Sequence, residues 1–356
     1  MHINLDDYRA AVTNSMLSAL GTPLWSVSDQ IQSSFEEFLE PLDSFIRSGK
    51  RTRALLMTAG WESCLPGNAM QLPVNAGAAL ELYQASALVH DDIVDNAVSR
   101  RGVDAVHVAF SKIHQNKNLI SDRSQFGVTS ALLLGDYLLS LSARTFEDAE
   151  SVSESAHNRA RSAFHSMTAE VAYGQFLDNR AEYTPLTEDA ESIISHAQAV
   201  LVHKSARYSV ELPLIIGATL AGAEASKLDV LHKIGRPLGE AFQLRDDLLG
   251  VFGDPEITGK PSGGDLSEGK RTVLLGMTLK LSTQTQRRFL CSRIGQDLNE
   301  AEIDSIRSII HETGALDEYI SLIENRENQA LNEFENSGIS GNMLPLMFEK
   351  LAARTH

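Results

Sequence analysis

Val89-His90-Asp91-Asp92-Ile93-Val94-Asp95-Asn96-Ala97-Val98-Ser99-Arg100-Arg101-Gly102 continues a run, Asn75 to Leu88, that is mostly Ala and Leu and contains no Pro. Such a run reads as buried helix. Carried into the acidic stretch, the helix puts Asp91 and Asp95 one turn apart on a shared face, with Asp92 beside them. Like charges this close repel each other, and a cation would relieve the repulsion. Oxygen ligands without His or Cys suit a hard ion such as Mg²⁺, which is typically held by one or two carboxylates plus substrate phosphates. Arg100 and Arg101 then read as phosphate clamps, because guanidinium matches phosphate bidentately.

Taken alone, this stretch reads more readily as a solvated acidic helix end with a basic tail, because short motifs of this kind recur by chance. A second acidic pair changes the reading: Phe242-Gln243-Leu244-Arg245-Asp246-Asp247-Leu248-Leu249-Gly250 lies far down the chain, again on an apolar helix. Two such pairs can face each other across a helical bundle and hold metal between them.

Outward from these two helices, helical patterning dominates. Helices are expected over Val27–Ile46, Arg53–Cys64, Pro73–Val98, Phe126–Ala149, Ala156–Leu177, Glu188–Arg207, Ser209–Ala221 and Ala225–Phe252, with Pro213 as a kink or restart. Further helices are expected over 272–292, 299–313, 315–335 and 340–353. No strand alternation is evident, which excludes a βαβ unit and a dinucleotide fold. No linker, repeat or low-complexity tract divides the 356 residues, so residues 1–356 read as a single all-α domain.

Asp+Glu outnumber Lys+Arg by 47 to 31, a net charge of -16. That argues against nucleic acid and anionic membrane as partners, since both require a basic face. Cys64 and Cys291 fit neither a disulfide framework nor a zinc spacing, and read as reduced thiols. The start lacks the features of a signal peptide. The longest uncharged apolar stretch, Leu212–Ala223, is too short to span a bilayer. A cytoplasmic location is expected.

Two more features carry chemistry. Gly49-Lys50-Arg51-Thr52-Arg53 opens a helix, where backbone N–H groups favour anions and cationic side chains are out of place without one. Asp254 to Lys270 is a long loop with four glycines and two lysines, directly after the second acidic pair, and by itself reads equally as a closing lid or as a flexible surface loop.

These pieces together resemble the trans-isoprenyl diphosphate synthase (polyprenyl synthetase) family over about residues 45–275. The motifs occur in order: Gly-Lys-Arg-Thr-Arg at 49–53, the Asp-rich stretch with Arg-Arg-Gly at 91–102, Gly174-Gln175 with Asp178, Lys204-Ser205, Phe242-Gln243 through Asp247, and Gly259-Lys260 with Asp265 and Gly269-Lys270.

The resemblance implies a large all-α bundle around a central cavity, of the class I isoprenoid synthase type, usually a homodimer. It also implies a reaction in which an allylic diphosphate (dimethylallyl, geranyl or farnesyl) ionises and isopentenyl diphosphate attacks the cation. By that resemblance Asp91, Asp95 and Asp246 are Mg²⁺ ligands, and Asp92 and Asp247 orient them. Arg100, Lys204 and Lys260 contact the allylic diphosphate. Lys50, Arg53, Gln84 and Arg101 contact isopentenyl diphosphate. Gln243 and Ser205 offer polar oxygens near the reacting centre, and Lys270 is a lid lysine.

Several positions depart from the family pattern. Gln84 stands where many bacterial members have His, Ser48 replaces a Gly, and Ser205 replaces a Thr. Gly250 stands where the third Asp of the second motif is often found. Asp254 would compensate only if the helix reaches it. Small residues at Ser86 and Ala87, where short-chain members carry an aromatic floor, leave Tyr83 as the next bulky candidate, about 12 Å from Asp91 along the helix. The expected product is therefore geranylgeranyl diphosphate or somewhat longer. A class I terpene cyclase matches the second motif poorly and needs no second diphosphate site. A non-catalytic subunit of a heteromeric synthase would typically have lost motif residues that this chain keeps.

Overall fold

A computed structural model describes residues 4–23, 25–65, 72–100, 102–187, 189–253 and 263–352. Its described residues are predominantly helical, as the patterning predicts. They form two compact units, residues 1–162 with 216–223 and residues 163–215 with 224–356.

The first unit is built on helix α5 (Val74–Val94). Around it lie α1 (Leu5–Gly21), α2 (Gln32–Leu39), α3 (Leu42–Arg47), α4 (Thr52–Cys64), α6 (Val106–Asn116) and α7 (Arg123–Glu147). Residues Ala76 to Tyr83 of α5 are all buried, so this stretch has no solvent face. Its small side chains permit close packing. A Cβ at Gly77 would lie 2.7 Å from the Tyr8 hydroxyl, which donates to Pro73 O at 3.2 Å. Helix α7 runs along α5 and α6. By length and composition α7 could cross a bilayer, yet it carries Asp136 and Arg144 and buries Leu134, Leu138 and Leu141 in this unit.

Helix α8 (Glu154–Glu182) leads into the second unit. There α9 (Ala190–Val200) runs into an eleven-residue π-helical segment, Leu201–Glu211, followed by α10 (Leu212–Leu220), whose residues from 216 on belong to the first unit. Residues 190–220 are therefore one continuous helical run, not the two helices expected over 188–207 and 209–221, and Pro213 lies inside it directly after the π segment. Helix α11 (Ala225–Phe252) packs against the π segment and against helix Ala315–Asn336. The approach is close: a Cβ at Gly239 would lie 2.3 Å from Ala206 O. Leu201, Ala206, Ala241, Leu244, Leu274, Ile306 and Tyr319 belong to the buried core of this unit. Each large apolar side chain so buried contributes about 1.5–3 kcal/mol.

Three further expectations need correction. A strand pair does occur: Ser99–Arg100 pairs antiparallel with Val103–Asp104 in a minimal hairpin. Val27–Ile46 is not one helix but α2 and α3, divided at Glu40-Pro41, where Pro supplies no N–H to continue the ladder. The helix expected over 272–292 is two, Val273–Leu281 and Gln284–Arg293. Thr283 starts the second with a capping box to Gln286, which favours a new N-terminus over continuation. The sequence patterning also missed α1 and α6 altogether.

Candidate active site

In the first unit the acidic end of α5 folds as expected, with one addition. Asp95 caps the helix, and Asn96 follows with φ 52° in the left-handed region, which Asn tolerates. The chain then turns through the hairpin, with Gly102 at φ 77°. This returns Arg100 to the helix it has just left. Its Nη2 lies 2.6 Å from Asp92 and 3.2 Å from Asp91, and its Nε donates to Asp92 Oδ1 at 2.7 Å. Burial disfavours the Arg100 charge, but Asp92, Asp91 and Asp95 outweigh it and raise the guanidinium above its usual value. Burial also pushes the Asp92 carboxyl up, against the Arg100 bond and aided by Asp91. Asp92 Oδ2 is buried with no hydrogen-bond partner among the described residues.

Gln84, Leu88, Asp91 and Asp95 are partly exposed and lie three or four residues apart, and partly exposed Ala87, between Gln84 and Asp91 at the same spacing, joins them in one stripe along α5. Ser86 points elsewhere: it is buried and donates to Gly135 O on α7 at 2.7 Å. Tyr83 is buried, which raises its hydroxyl pKa above the usual value, and the Arg53 charge opposes the shift. His90 packs against Gly135 and sits 3.5 Å from Asp136, a packing role.

The basic cluster before α4 splits into two kinds of residue. Arg51 is a structural residue. It has φ 52° and is buried, with Nε on Thr13 Oγ1 at 3.1 Å, Nη1 on Ser48 O at 3.0 Å and Nη2 on Ile46 O. Lys50 is exposed and Arg53 partly so. Glu81, a residue the motifs do not include, accepts from Ala54 N at 3.2 Å near the start of α4. Its sequence signal is a lone carboxylate in an otherwise apolar run.

In the second unit Gly174 lets α8 approach the π segment, since a Cβ there would lie 2.4 Å from Lys204 N. Lys204 Nζ consequently reaches Asp178 Oδ2 at 2.5 Å. Lys270 Nζ joins from the other side, 3.6 Å from Asp178 and 2.9 Å from Glu182. Glu182 is thus a further member of the cluster that the motifs did not pick out. Ser205 follows Lys204 on the π segment. On α11, Gln243 donates to Asp247 Oδ1 at 2.7 Å. Burial and then the neighbouring Asp265 push the Asp247 carboxyl well above the usual carboxylate range. Arg245, inside the same motif, is structural: it pairs with Glu327 through two 2.8 Å bonds.

Arg101, Asp254 and Lys260 lie outside the described residues. Among the described residues, no three His, Cys, Asp or Glu side chains already converge as a metal shell. The donors that can serve an ion are carboxylate pairs, which suits Mg²⁺ completed by water and phosphate oxygens. The partnerless oxygen of Asp92 and the Arg100 cation drawn into the acidic turn both fit a site that favours positive charge.

Comparison with known proteins points in one direction. The polyprenyl synthetase family model matches residues 35–312. A geranylfarnesyl diphosphate synthase of Aeropyrum pernix is 32% identical over 276 residues, 76% of this chain and 77% of that protein. A geranylgeranyl diphosphate synthase of Saccharolobus solfataricus is 29% identical over 80% of this chain and 79% of its own length. Among solved structures, geranylgeranyl pyrophosphate synthase from Corynebacterium glutamicum, complexed with isoprenyl diphosphate and magnesium, superposes with a TM-score of 0.90. It is 32% identical, and the match covers 99% of this chain and 100% of that one.

Proposed function

The chain belongs to the polyprenyl synthetase family, and from that premise we propose that it condenses isopentenyl diphosphate head-to-tail with allylic diphosphates to make an all-trans prenyl diphosphate, geranylgeranyl diphosphate or somewhat longer. The observation that carries this reading is the ordered set of basic and acidic motifs, in a chain that superposes on a geranylgeranyl pyrophosphate synthase over 99% of its length. Both the curated relatives and the matched structures include geranylgeranyl diphosphate synthases.

Asp91 and Asp95 on α5 and Asp246 on α11 are the groups we assign to Mg²⁺. When bound, Mg²⁺ supplies the positive charge that lets pyrophosphate leave an allylic carbon. The protein's own cations add to that stabilisation. Arg100 and Lys204 contact the allylic diphosphate, and their present partners, Asp91, Asp92 and Asp178, hold them in place until substrate oxygens take over. Lys260 and Lys270 act from the loop and its end. Lys50, Arg53, Gln84 and Arg101 bind isopentenyl diphosphate. Gln243 and Ser205 present polar oxygens to the developing carbocation, and the Gln243 amide is oriented by its bond to Asp247. Charge placed where it develops in the transition state is usually the largest catalytic contribution.

The proposal also treats residues 1–356 as one catalytic polyprenyl synthetase domain acting in the cytoplasm. The family match extends over parts of both compact units, and both cysteines are free thiols. A homodimer is supported by exposed Leu132, Leu133 and Leu139 on α7, apolar side chains that a second copy would cover.

The test is turnover by the purified protein with labelled isopentenyl diphosphate and each of dimethylallyl, geranyl and farnesyl diphosphate, with chromatography of the products. Elongation to a twenty-carbon or longer diphosphate is expected. Failure to elongate any primer in the presence of Mg²⁺ overturns the reading.

A further inference from the structure

Arg51 and Lys50 are neighbours in the basic turn before α4, yet only Lys50 is exposed to solvent. Arg51 is 5% exposed, and Glu81 on α5 is 6% exposed. Both are too deeply buried to receive a diphosphate. Both nevertheless hold the turn that carries Lys50 and Arg53.

That turn has an unusual backbone. Gly49 has φ 117° and Arg51 φ 52°, so positive φ occurs on either side of Lys50. A left-handed residue with a side chain is strained and persists only where its surroundings over-determine it. Here the Arg51 guanidinium reaches back across the turn. Its Nη1 donates to Ser48 O at 3.0 Å and its Nη2 to Ile46 O. Ile46 lies in the last turn of α3, whose final carbonyls have no partner within the helix. A cation at that end is also favoured by the helix dipole. The remaining donor, Nε, goes to Thr13 Oγ1 on α1 at 3.1 Å. The carbonyl of Arg51 accepts from Leu55 N at 3.0 Å and so begins α4. One residue thus closes α3 and opens α4, with α1 as a third support.

Glu81 fixes the turn from α5. Its Oε1 accepts from Ala54 N, in the first turn of α4, at 3.2 Å. A carboxylate suits a helix N-terminus. Burial pulls the Arg51 guanidinium below its usual value, and the Glu81 charge opposes that shift. The buried cation and the buried anion offset one another. The outward positive charge of the turn is then that of Lys50 and Arg53.

We propose that Arg51 and Glu81 are positioning residues for the second substrate. They lock residues 49–53 into one shape, so that Lys50 and Arg53 meet the diphosphate of isopentenyl diphosphate already in place. Groups ordered before binding bind more tightly, because no ordering cost is met on association. The inference rests on the assignment of Lys50 and Arg53 to that substrate. The allylic diphosphate, assigned to Arg100 and Lys204, does not depend on this turn.

The test measures Michaelis constants for both substrates and calorimetric binding of isopentenyl diphosphate on the full chain. Circular dichroism and melting temperature monitor the fold. Arg51→Lys keeps the charge but cannot reach Thr13, Ser48 and Ile46 together. It should raise the Michaelis constant for isopentenyl diphosphate about tenfold or more, since small displacements of binding groups cost up to about a hundredfold. Turnover at saturation and the constant for the allylic primer should change by less than about twofold, the pattern of a loss confined to binding. Glu81→Ala should act in the same way. Glu81→Gln should recover most of the affinity, because its amide oxygen still accepts from Ala54 N. Folded Arg51→Lys and Glu81→Ala variants that bind isopentenyl diphosphate as the wild type does overturn the proposal. So do variants that weaken both substrates equally, which is what general loosening of the unit would produce. Should these variants fail to fold, Thr13→Val decides. It removes one of the three acceptors of Arg51 and should raise the same constant about threefold, and an unchanged constant overturns the proposal. Lys50→Ala and Arg53→Ala separate the two levels. If neither weakens isopentenyl diphosphate, the assignment of the site itself fails. If they do while Arg51→Lys and Glu81→Ala bind normally, only the positioning role is lost.

Discussion

Arg100 reaches back to the helix that precedes it and places Nη2 2.6 Å from Asp92 and 3.2 Å from Asp91. The sequence distance is short, but the contact depends on the hairpin reversing the chain over Ser99–Asp104. Asp92 is fully buried and Arg100 partly so. The acidic turn thus carries its own counter-cation.

Arg100→Ala should therefore destabilise the protein without added metal. Removing one partner of a buried ion pair leaves the other uncompensated, at a cost on the order of 3 kcal/mol. Added Mg²⁺ should raise the melting temperature of the variant more than that of the wild type, because the ion replaces the missing charge. Equal Mg²⁺ shifts in both proteins would show that the two cations do not share the site.

Asp91→Asn should reduce turnover far more than it weakens binding of isopentenyl diphosphate. Loss of charge stabilisation at a leaving group costs on the order of a hundredfold in rate. Steady-state kinetics with a fixed allylic primer reads the effect. Full activity in excess EDTA, or unchanged turnover in the variant, contradicts the role given to Asp91.

A structural carboxylate behaves differently. Glu211, at the end of the π segment, is buried, which alone would raise its pKa. Hydrogen bonds from His232 and Arg236, with Arg207 close by, more than offset that and leave it below its usual 4.5. A lowered folded value means that this stabilisation is present above pH 4.5 and fades as the pH falls through the lower folded value. Glu211→Gln should lower stability at pH 7 by about 3 kcal/mol, since three cationic or protonatable partners lose their anion. The difference from wild type should shrink in acid below that window. Denaturation by urea at several pH values checks both, and a constant difference down to strongly acid pH would contradict the linkage.

The sequence made the two acidic helices, the basic residues and the all-α class legible, because each depends on local spacing. It did not show that Arg51 turns inward while Lys50 stays exposed: three cations in five residues look alike until the left-handed backbone at Arg51 separates them. Nor did it show the π segment that carries Lys204. That conformation goes with close approaches at Gly174 and Gly239, made by residues distant in sequence. The stripe along α5 was partly legible. Its period gives Ala87 and Gln84, whereas the turning of Ser86 toward α7 depends on where Gly135 packs.

That last distinction leads to the chain-length prediction. A growing prenyl tail anchored at Asp91 should run along the partly exposed stripe that contains Ala87 and Gln84. Ala87→Phe should therefore shorten the product, because the ring projects into the path of the tail. Ser86→Phe should act differently. Ser86 is 2% exposed and its hydroxyl donates to Gly135 O. An aromatic there overpacks the contact with α7 and should lower stability by about 1–3 kcal/mol, with product length altered only through that disturbance. Tyr83 is buried at the next turn. Tyr83→Ala should lengthen the product if its ring is the floor of the path, while its lost packing lowers stability. Chromatography of the products, with melting temperatures of the same variants, separates the three effects. A wild type that stops at farnesyl diphosphate with every primer, or an Ala87→Phe variant with unchanged products, refutes the path along α5.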